Sequence, residues 1–242
     1  MKIRIAYIEE PPFYGTGADH RATGADIELA DVVLRALGVT VIEHHPTSFA
    51  ELLPGVREGR WDMNVPIFVT AERARDVAFS VPVWTLGDGF LVRAGNPKSL
   101  TSYETLATRR DARLGIIPAQ VQSATARSAG VRGDQMVAFA HQHEAVEALL
   151  AGTIDAFAAT ALGNRVAAAA QPALEAVAHV ASGASPVGAF SFAKGNAALL
   201  QAVDGQLRRY LGSADHRARM AKYGFTATEI DGVVADGPSA AR

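Results

Sequence analysis

The sequence predicts an α/β fold in two lobes, each a mixed sheet flanked by helices, with the second lobe inserted into the first. Three observations carry that prediction. Strand-like and helix-like runs alternate along almost the whole chain, the pattern of packed sheet and helix layers. Breaks at Ala94-Gly95-Asn96-Pro97 and Ser182-Gly183-Ala184-Ser185-Pro186 bracket a second α/β series. The 242 residues, 49% of them hydrophobic, suffice for one large core or two smaller ones. The expected division is residues 1–93 for the first lobe, 94–186 for the inserted one and 187–242 for the return to the first. Two chain crossings make a hinge with a restricted axis, and a cleft between such lobes is a natural ligand site.

Taken in order, residues 2–8 alternate as a strand and run into the turn Glu9-Glu10-Pro11-Pro12-Phe13. Residues 25–37 place Ile27, Ala30, Val33, Leu34 and Leu37 on one helical face, and Gly38 is a good stop. A strand at 39–45 follows. Ser48 then caps a helix through Arg57, with Glu51 at the third position completing a capping box. Short segments come next: a strand at 62–65, a helix at 70–75, a strand at 77–80 and a longer one at 87–93. In the second series the expected helices are one from Ser102 and those at 120–128, 142–151 and 162–170, with strands at 113–117, 135–139, 154–159 and 176–180. A strand at 187–194 and helices at 197–211 and 213–223 complete the chain.

Several functions are excluded by composition. With 23 basic against 25 acidic side chains the net charge is −2, so there is no basic stripe for nucleic acid or an anionic membrane. The absence of cysteine excludes disulfides, thiolate metal sites, iron–sulfur clusters and a cysteine nucleophile. No apolar stretch reaches the ~20 residues needed to span hydrocarbon, so the chain is expected to be soluble. Residues 1–7 alternate like a strand and lack the ~7–15-residue apolar run of a secretion signal. Either the protein is cytoplasmic or its signal has been removed.

A series of blocks then carries a resemblance. In order these are Pro11-Pro12-Phe13, Gly24-Ala25-Asp26-Ile27-Glu28-Leu29-Ala30, Leu37-Gly38, Phe49 to Val56, Gly59-Arg60-Trp61-Asp62, Thr70-Ala71-Glu72-Arg73, Val77 to Pro82, Leu114-Gly115-Ile116, Gly152-Thr153-Ile154-Asp155-Ala156 and Gly188 to Asn196. Their order and spacing cover nearly the whole chain. The series resembles the family 3 solute-binding proteins of polar amino-acid ABC transporters, two-lobed periplasmic binding proteins of type 2. That resemblance implies a periplasmic, monomeric, non-enzymatic protein without a cofactor, whose partners are a small carboxylate-bearing ligand and an ABC permease in the membrane.

In the family the arginine of Thr-x-x-Arg binds the ligand's carboxylate, which points to Arg73, with Val69 and Thr70 beside it. A guanidinium offers a planar fork to a carboxylate, a charge-assisted bond of ~1.5–3 kcal/mol. Two departures redirect the ligand class. The aspartate that meets an α-ammonium, five residues after Asp155, is Thr160 here. The Gly-Ser/Thr-Thr turn reads Ala119-Gln120-Val121, leaving Gln120 and backbone N–H groups as the expected contacts. Aromatic residues crowd into the first lobe, against only Tyr103, Phe139 and Phe157 at 95–185. Phe68 stands five residues before Arg73, where amino-acid binders place Ser or Thr. Phe13 beside Glu10, Phe49 at the start of a helix, Phe68, and Trp61 and Trp84 in addition, can form a cage that attracts a diffuse or alkylated cation with ~0.5–2 kcal/mol per ring. Glu10 or Glu9 would be its counter-charge. The combination resembles compatible-solute binders for ectoine or betaine-type zwitterions. Core packing is the competing role for every one of these rings, and the expected one for Phe79. Tyr7, where some members keep an acid, argues against a basic amino-acid ligand.

The histidines do not suggest a metal. His44 and His45 point to opposite faces of a strand, and His141 and His143 are expected to diverge at a helix start rather than pair at the i,i+4 spacing of a helical zinc site. Neither a P-loop nor a Gly-x-Ser-x-Gly elbow is present. Two alternatives stay open: a cyclohexadienyl dehydratase-like enzyme using Glu9, Glu10 or Glu144, and a ligand-sensing domain of a receptor.

Overall fold

The computed structural model describes residues 1–180 and 186–234. The chain divides into two compact units, Met1–Thr85 with Pro186–Arg242, and Leu86–Ser185. In the first unit the elements are β1 (Lys2–Tyr7), β2 (Gly15–Thr16), β3 (Ala22–Thr23), α1 (Ala25–Ala36), β4 (Val41–Pro46), α2 (Phe49–Arg57), β5 (Met63–Phe68), a 3-10 turn (Arg73–Arg75), β6 (Ala78–Phe79) and β7 (Trp84–Thr85). The second unit holds β8 (Asp88–Arg93), α3 (Tyr103–Thr108), β9 (Leu114–Ile116), α4 (Val121–Ser128), β10 (Met136–Ala138), α5 (Gln142–Leu150), β11 (Ala156–Thr160), α6 (Ala161–Ala170) and β12 (Leu174–Ala178). The return segment adds β13 (Val187–Phe192), α7 (Ala197–Tyr210), α8 (Ala214–Ala221) and α9 (Ala227–Val234) to the first unit.

Sheet order in the first unit is β4-β1-β5-β13-β6, with β7 also on β13. β1 runs parallel to β4 and β5, whereas β13 runs antiparallel to β5, β6 and β7. The second unit's sheet, β10-β9-β11-β8-β12, is likewise mixed. There the strands bury both faces. Phe90 and Val92 join Leu100, Leu106 and Leu114 in one core, while Leu91 between them joins Leu149, Ile154 and Phe157 in the other. That is the period-two alternation of a strand covered by helices on both sides.

The sequence-predicted boundary and the structural one differ. The first crossing falls after Thr85, not after residue 93, because β8 pairs with β11 and β12 of the second unit. A long strand preceding a Gly-Pro break looks continuous with what comes before it, and only its pairing reveals its sheet. The expected close of the second series at 182–185 lies outside the described residues.

Helix α1 shows how the first unit fixes its loops. Its first free N–H groups, on Ala25 and Asp26, donate to the carbonyls of Pro12 and Phe13 at 3.0 and 2.9 Å, pinning the 11–14 turn to the helix end. Gly24 makes this approach possible: its φ is 121° and a Cβ there would meet the Phe13 carbonyl oxygen at 2.4 Å. At α2 the expected capping box is not formed. Ser48 makes no side-chain cap, and Glu51 is drawn instead into an ion pair with Arg60 at 2.7 Å, a charged partner outcompeting a neutral N–H. The box does form at α3, between Ser102 and Thr105. The short helix expected at 70–75 is reduced to the 3-10 turn, and α9 extends the chain's helices past 223.

Trp61 is core. Its indole covers Gly55 of α2, where a Cβ would lie 2.0 Å from the ring. Gly55→Ala is therefore expected to destabilise the fold by ~1–3 kcal/mol through overpacking, against the ~1 kcal/mol that alanine gains in a helix. Urea denaturation measures it, and a variant as stable as the parent would show that the indole moves aside freely.

Candidate functional site

The first unit gathers most of the sequence-predicted residues. Arg73, at the start of the 3-10 turn, is 9% exposed. Thr70 accepts its backbone N–H at 3.1 Å, and its Nη1 donates to the Phe68 carbonyl at 2.7 Å. Its guanidinium carbon stands 5.1 Å from the centre of the Phe49 ring. Burial lowers its affinity for its proton, partly offset by Tyr14 and Glu72, yet the group remains a cation at any physiological pH. Val69 donates its N–H to Val187 at 2.9 Å, so the strand end leading to Arg73 is fixed by β13.

Phe68 belongs to a continuous aromatic assembly. Its ring meets Trp84 edge-on at 5.3 Å, Trp84 meets Phe13 at 6.2 Å, and Phe13 meets Tyr14 at 6.1 Å and Phe225 at 5.9 Å. Phe13 is only 2% exposed, whereas Phe68 is partly open. The Trp84 N–H donates to both carboxyl oxygens of Asp26, at 3.1 and 3.3 Å. Burial pushes the Asp26 carboxyl well above the usual carboxylate range; the Trp84 N–H opposes this and the nearby Glu10 charge adds to it. Glu10 also reinforces the burial that raises Tyr14. Glu9 is engaged elsewhere, accepting the Thr16 N–H at 3.0 Å and its hydroxyl at 2.5 Å.

The other two expected residues belong to the second unit. Gln120 is the N-cap of α4, 8% exposed, and follows Ala119, whose φ of 66° is a left-handed conformation. Alanine holds that conformation at a cost of ~1–2 kcal/mol, which glycine avoids. Thr160 is the N-cap of α6, its Oγ1 accepting the Gly163 N–H at 3.1 Å. Asp155 is structural, held by Arg93, Lys98 and the Arg113 N–H at 3.4, 3.0 and 2.9 Å.

Sequence reasoning missed two features. Asp26 lies four and seven residues before Ala30 and Val33, so a carboxyl on the apolar face of α1 was the available signal. The second is a polar cluster in the second unit. Asp88 accepts from the Tyr103 hydroxyl at 2.7 Å and the Gly89 N–H at 3.0 Å, while the His179 ring packs edge-on against Phe90 and Tyr103. No sequence signal joins residues so far apart. His141 and His143 also differ from expectation: their rings stack at 5.5 Å. His141 is an extended N-cap residue, φ −136°, so the helical angle between neighbours does not apply to it. Among the described residues no group of three or more His, Asp or Glu is placed to hold a metal ion, and no helix is long and apolar enough to cross a membrane.

Two mixed-sheet α/β units, the second inserted into the first, define the class of type 2 periplasmic binding proteins. The chain belongs to the bacterial extracellular solute-binding proteins, family 3, whose profile matches residues 3–226. It is 31% identical over 162 residues to a probable amino-acid ABC transporter periplasmic-binding protein of Sinorhizobium fredii, a match covering 66% of this chain and 53% of that relative. The chain thus spans about half the length of that relative. Its fold is similar to EhuB in complex with hydroxyectoine, with a TM-score of 0.85, 29% identity, and 97% and 95% of the two chains covered. An ancestral arginine-binding protein bound to glutamine gives a TM-score of 0.81 at 23% identity over 92% and 97%, a likeness of fold.

The Asp88 carboxyl is pushed up by burial, from 3.8 to about 6, against hydrogen bonds from Tyr103, Gly89 and Gln122 that favour its charged form. The folded state therefore holds more protons than the unfolded one between those values, and stability is lost as pH rises through that window. Asp88→Asn removes this loss. Its stability relative to the parent should rise by ~1–3 kcal/mol from pH 4 to pH 7 and then level off. Denaturation curves at a series of pH values test this, and a constant difference would refute it.

Proposed function

We propose that the chain is the ligand-capturing component of an ABC transporter, taking a small zwitterion of the ectoine or betaine kind and delivering it to a membrane permease. It does so as a periplasmic, monomeric protein without a cofactor. The observation that carries this reading is the desolvated Arg73, set between the Phe49 ring and the Phe68 carbonyl at the end of an aromatic wall. The planar fork of its guanidinium matches a carboxylate. Phe49 and Phe68, with Glu10, supply the faces and the negative charge for the cationic end, while Phe13, buried among Tyr14, Trp84 and Phe225, backs them from the core instead of facing the ligand as the sequence suggests. The sequence likeness to EhuB, whose structure holds hydroxyectoine, supports that class.

Micromolar affinity requires ~8 kcal/mol net. One Arg–carboxylate contact provides ~1.5–3 kcal/mol, so burial of the ligand against the rings provides the remainder. From the second unit, the family resemblance assigns Gln120 and Thr160 to the ligand. Thr160 in place of an aspartate is the feature that argues against ordinary α-amino acids, because a hydroxyl does not neutralise a desolvated ammonium. A dehydratase-like enzyme on this fold would recruit Glu9, Glu10 or Glu144. Glu9 is committed to Thr16, and Glu144 to the N–H groups of Ala140 and His141 at 3.0 and 3.2 Å.

Arg73→Ala is expected to abolish detectable binding in calorimetry with hydroxyectoine and glycine betaine, while the ligand-free melting temperature changes by no more than about 2 °C. A large fall in that temperature would make Arg73 a structural residue. Phe68→Ser should weaken either zwitterion roughly tenfold, near the upper range for one desolvated ring face. An unchanged constant would remove the cage.

A further inference from the structure

We propose that Asp26 and Trp84 are a positioning pair that sets the aromatic wall and, through Phe68, the seat of Arg73. The proposal deepens the ligand reading above and rests on it for its consequence in binding. Asp26 is joined to two residues of the wall at once: its backbone N–H donates to the Phe13 backbone carbonyl at 2.9 Å, and its carboxyl accepts the Trp84 ring N–H at 3.1 Å. The indole is fixed on its other sides as well. Gly188 lies between Phe68 and Trp84 in the sheet, paired with Phe68 on β5 and with Trp84 on β7. A Cβ at Gly188 would stand 2.0 Å from the indole, so the glycine leaves the space across which Trp84 reaches Phe68 and meets its ring at 85°. Phe68 in turn gives its carbonyl to Arg73. The chain of contacts therefore runs from Asp26 through the indole to a ring of the wall and to the guanidinium. Asp26 and Trp84 need not touch the ligand; they decide where the groups that touch it stand.

The test uses the chain's two tryptophans. Trp61→Phe leaves Trp84 as the only one, so its emission and near-ultraviolet circular dichroism report the indole's setting in the ligand-free protein. In this parent, Asp26→Leu is expected to shift the Trp84 spectrum and to raise the dissociation constants for glycine betaine and hydroxyectoine at least about tenfold, a change of about 1.4 kcal/mol. Asp26→Asn, which keeps an acceptor for the indole N–H, should stay within about threefold of the parent. If Asp26→Leu does not fold, Trp84→Phe, which keeps a ring and removes the donor, takes its place and should weaken both ligands by a similar factor.

The proposal is overturned if Asp26→Leu leaves the ligand-free Trp84 spectrum unchanged, if it folds with unaltered dissociation constants, or if Asn costs as much as Leu. A parent that binds neither zwitterion overturns the ligand reading alone, because the ligand-free spectra still decide whether Asp26 sets the indole.

Discussion

The chain leaves the first unit after Thr85 and re-enters it at Pro186, and a two-residue ladder, Thr85 with Val187 and Trp84 with Gly188, holds these points side by side. Much of the first unit's arrangement follows from that pairing. It fixes Trp84 over a position where only glycine fits, and so brings the indole to Phe68 on the strand beyond. The same β13 that accepts Trp84 holds the end of β5 through Val69, which determines where the chain turns toward Arg73. A backbone constraint imposed by inserting one unit into another thereby also organises the side chains of the candidate site.

The ionisable groups inside the two units are unequal. Arg73 keeps its charge at every accessible pH, so the cost of its desolvation does not vary with pH. Asp26 and Asp88 respond differently, since a carboxyl can take up a proton and shed the cost. Both are pushed upward by burial, and both are given donors that favour the charged form: an indole in one case, a phenol, a backbone N–H and the Gln122 side chain in the other. Asp155 is set among ionic partners. With two cations and an N–H around it, it serves as a conventional anchor between β11, the 94–98 loop and β9.

The alternation of elements was legible because strands buried on both faces and amphipathic helices have distinct periods, and every long helix of the second unit stands close to where its pattern places it. The inserted arrangement was legible too, but its first edge was not, because β8 is ascribed to a sheet only by its partners in β11 and β12. For the site, Arg73 and the rings were named from motif position, and the structure sets Arg73, Phe49, Phe68, Trp84 and Phe13 in one connected series. What the pattern did not carry was direction. Trp61 and Trp84 look alike in sequence, yet one closes over a helix glycine and the other over a strand glycine beside Phe68. The Ser48 box failed for a comparable reason, since Arg60, nine residues on, claimed Glu51 in an ion pair.

On the proposed reading, the protonation of Asp26 bears directly on ligand class. An ionised Asp26 next to Glu10 would add a second carboxylate charge to the wall, which suits a ligand carrying an extra cation. Burial and the Glu10 charge both hold Asp26 toward its neutral form. The absence of an acid at Tyr7 acts in the same direction: its hydroxyl is hydrogen-bonded to Thr16 at 2.7 Å and brings no charge. Selection against basic amino acids then rests on which carboxyls are absent or kept neutral. Aromatic faces add the preference for a diffuse cation over a compact, strongly hydrated ammonium.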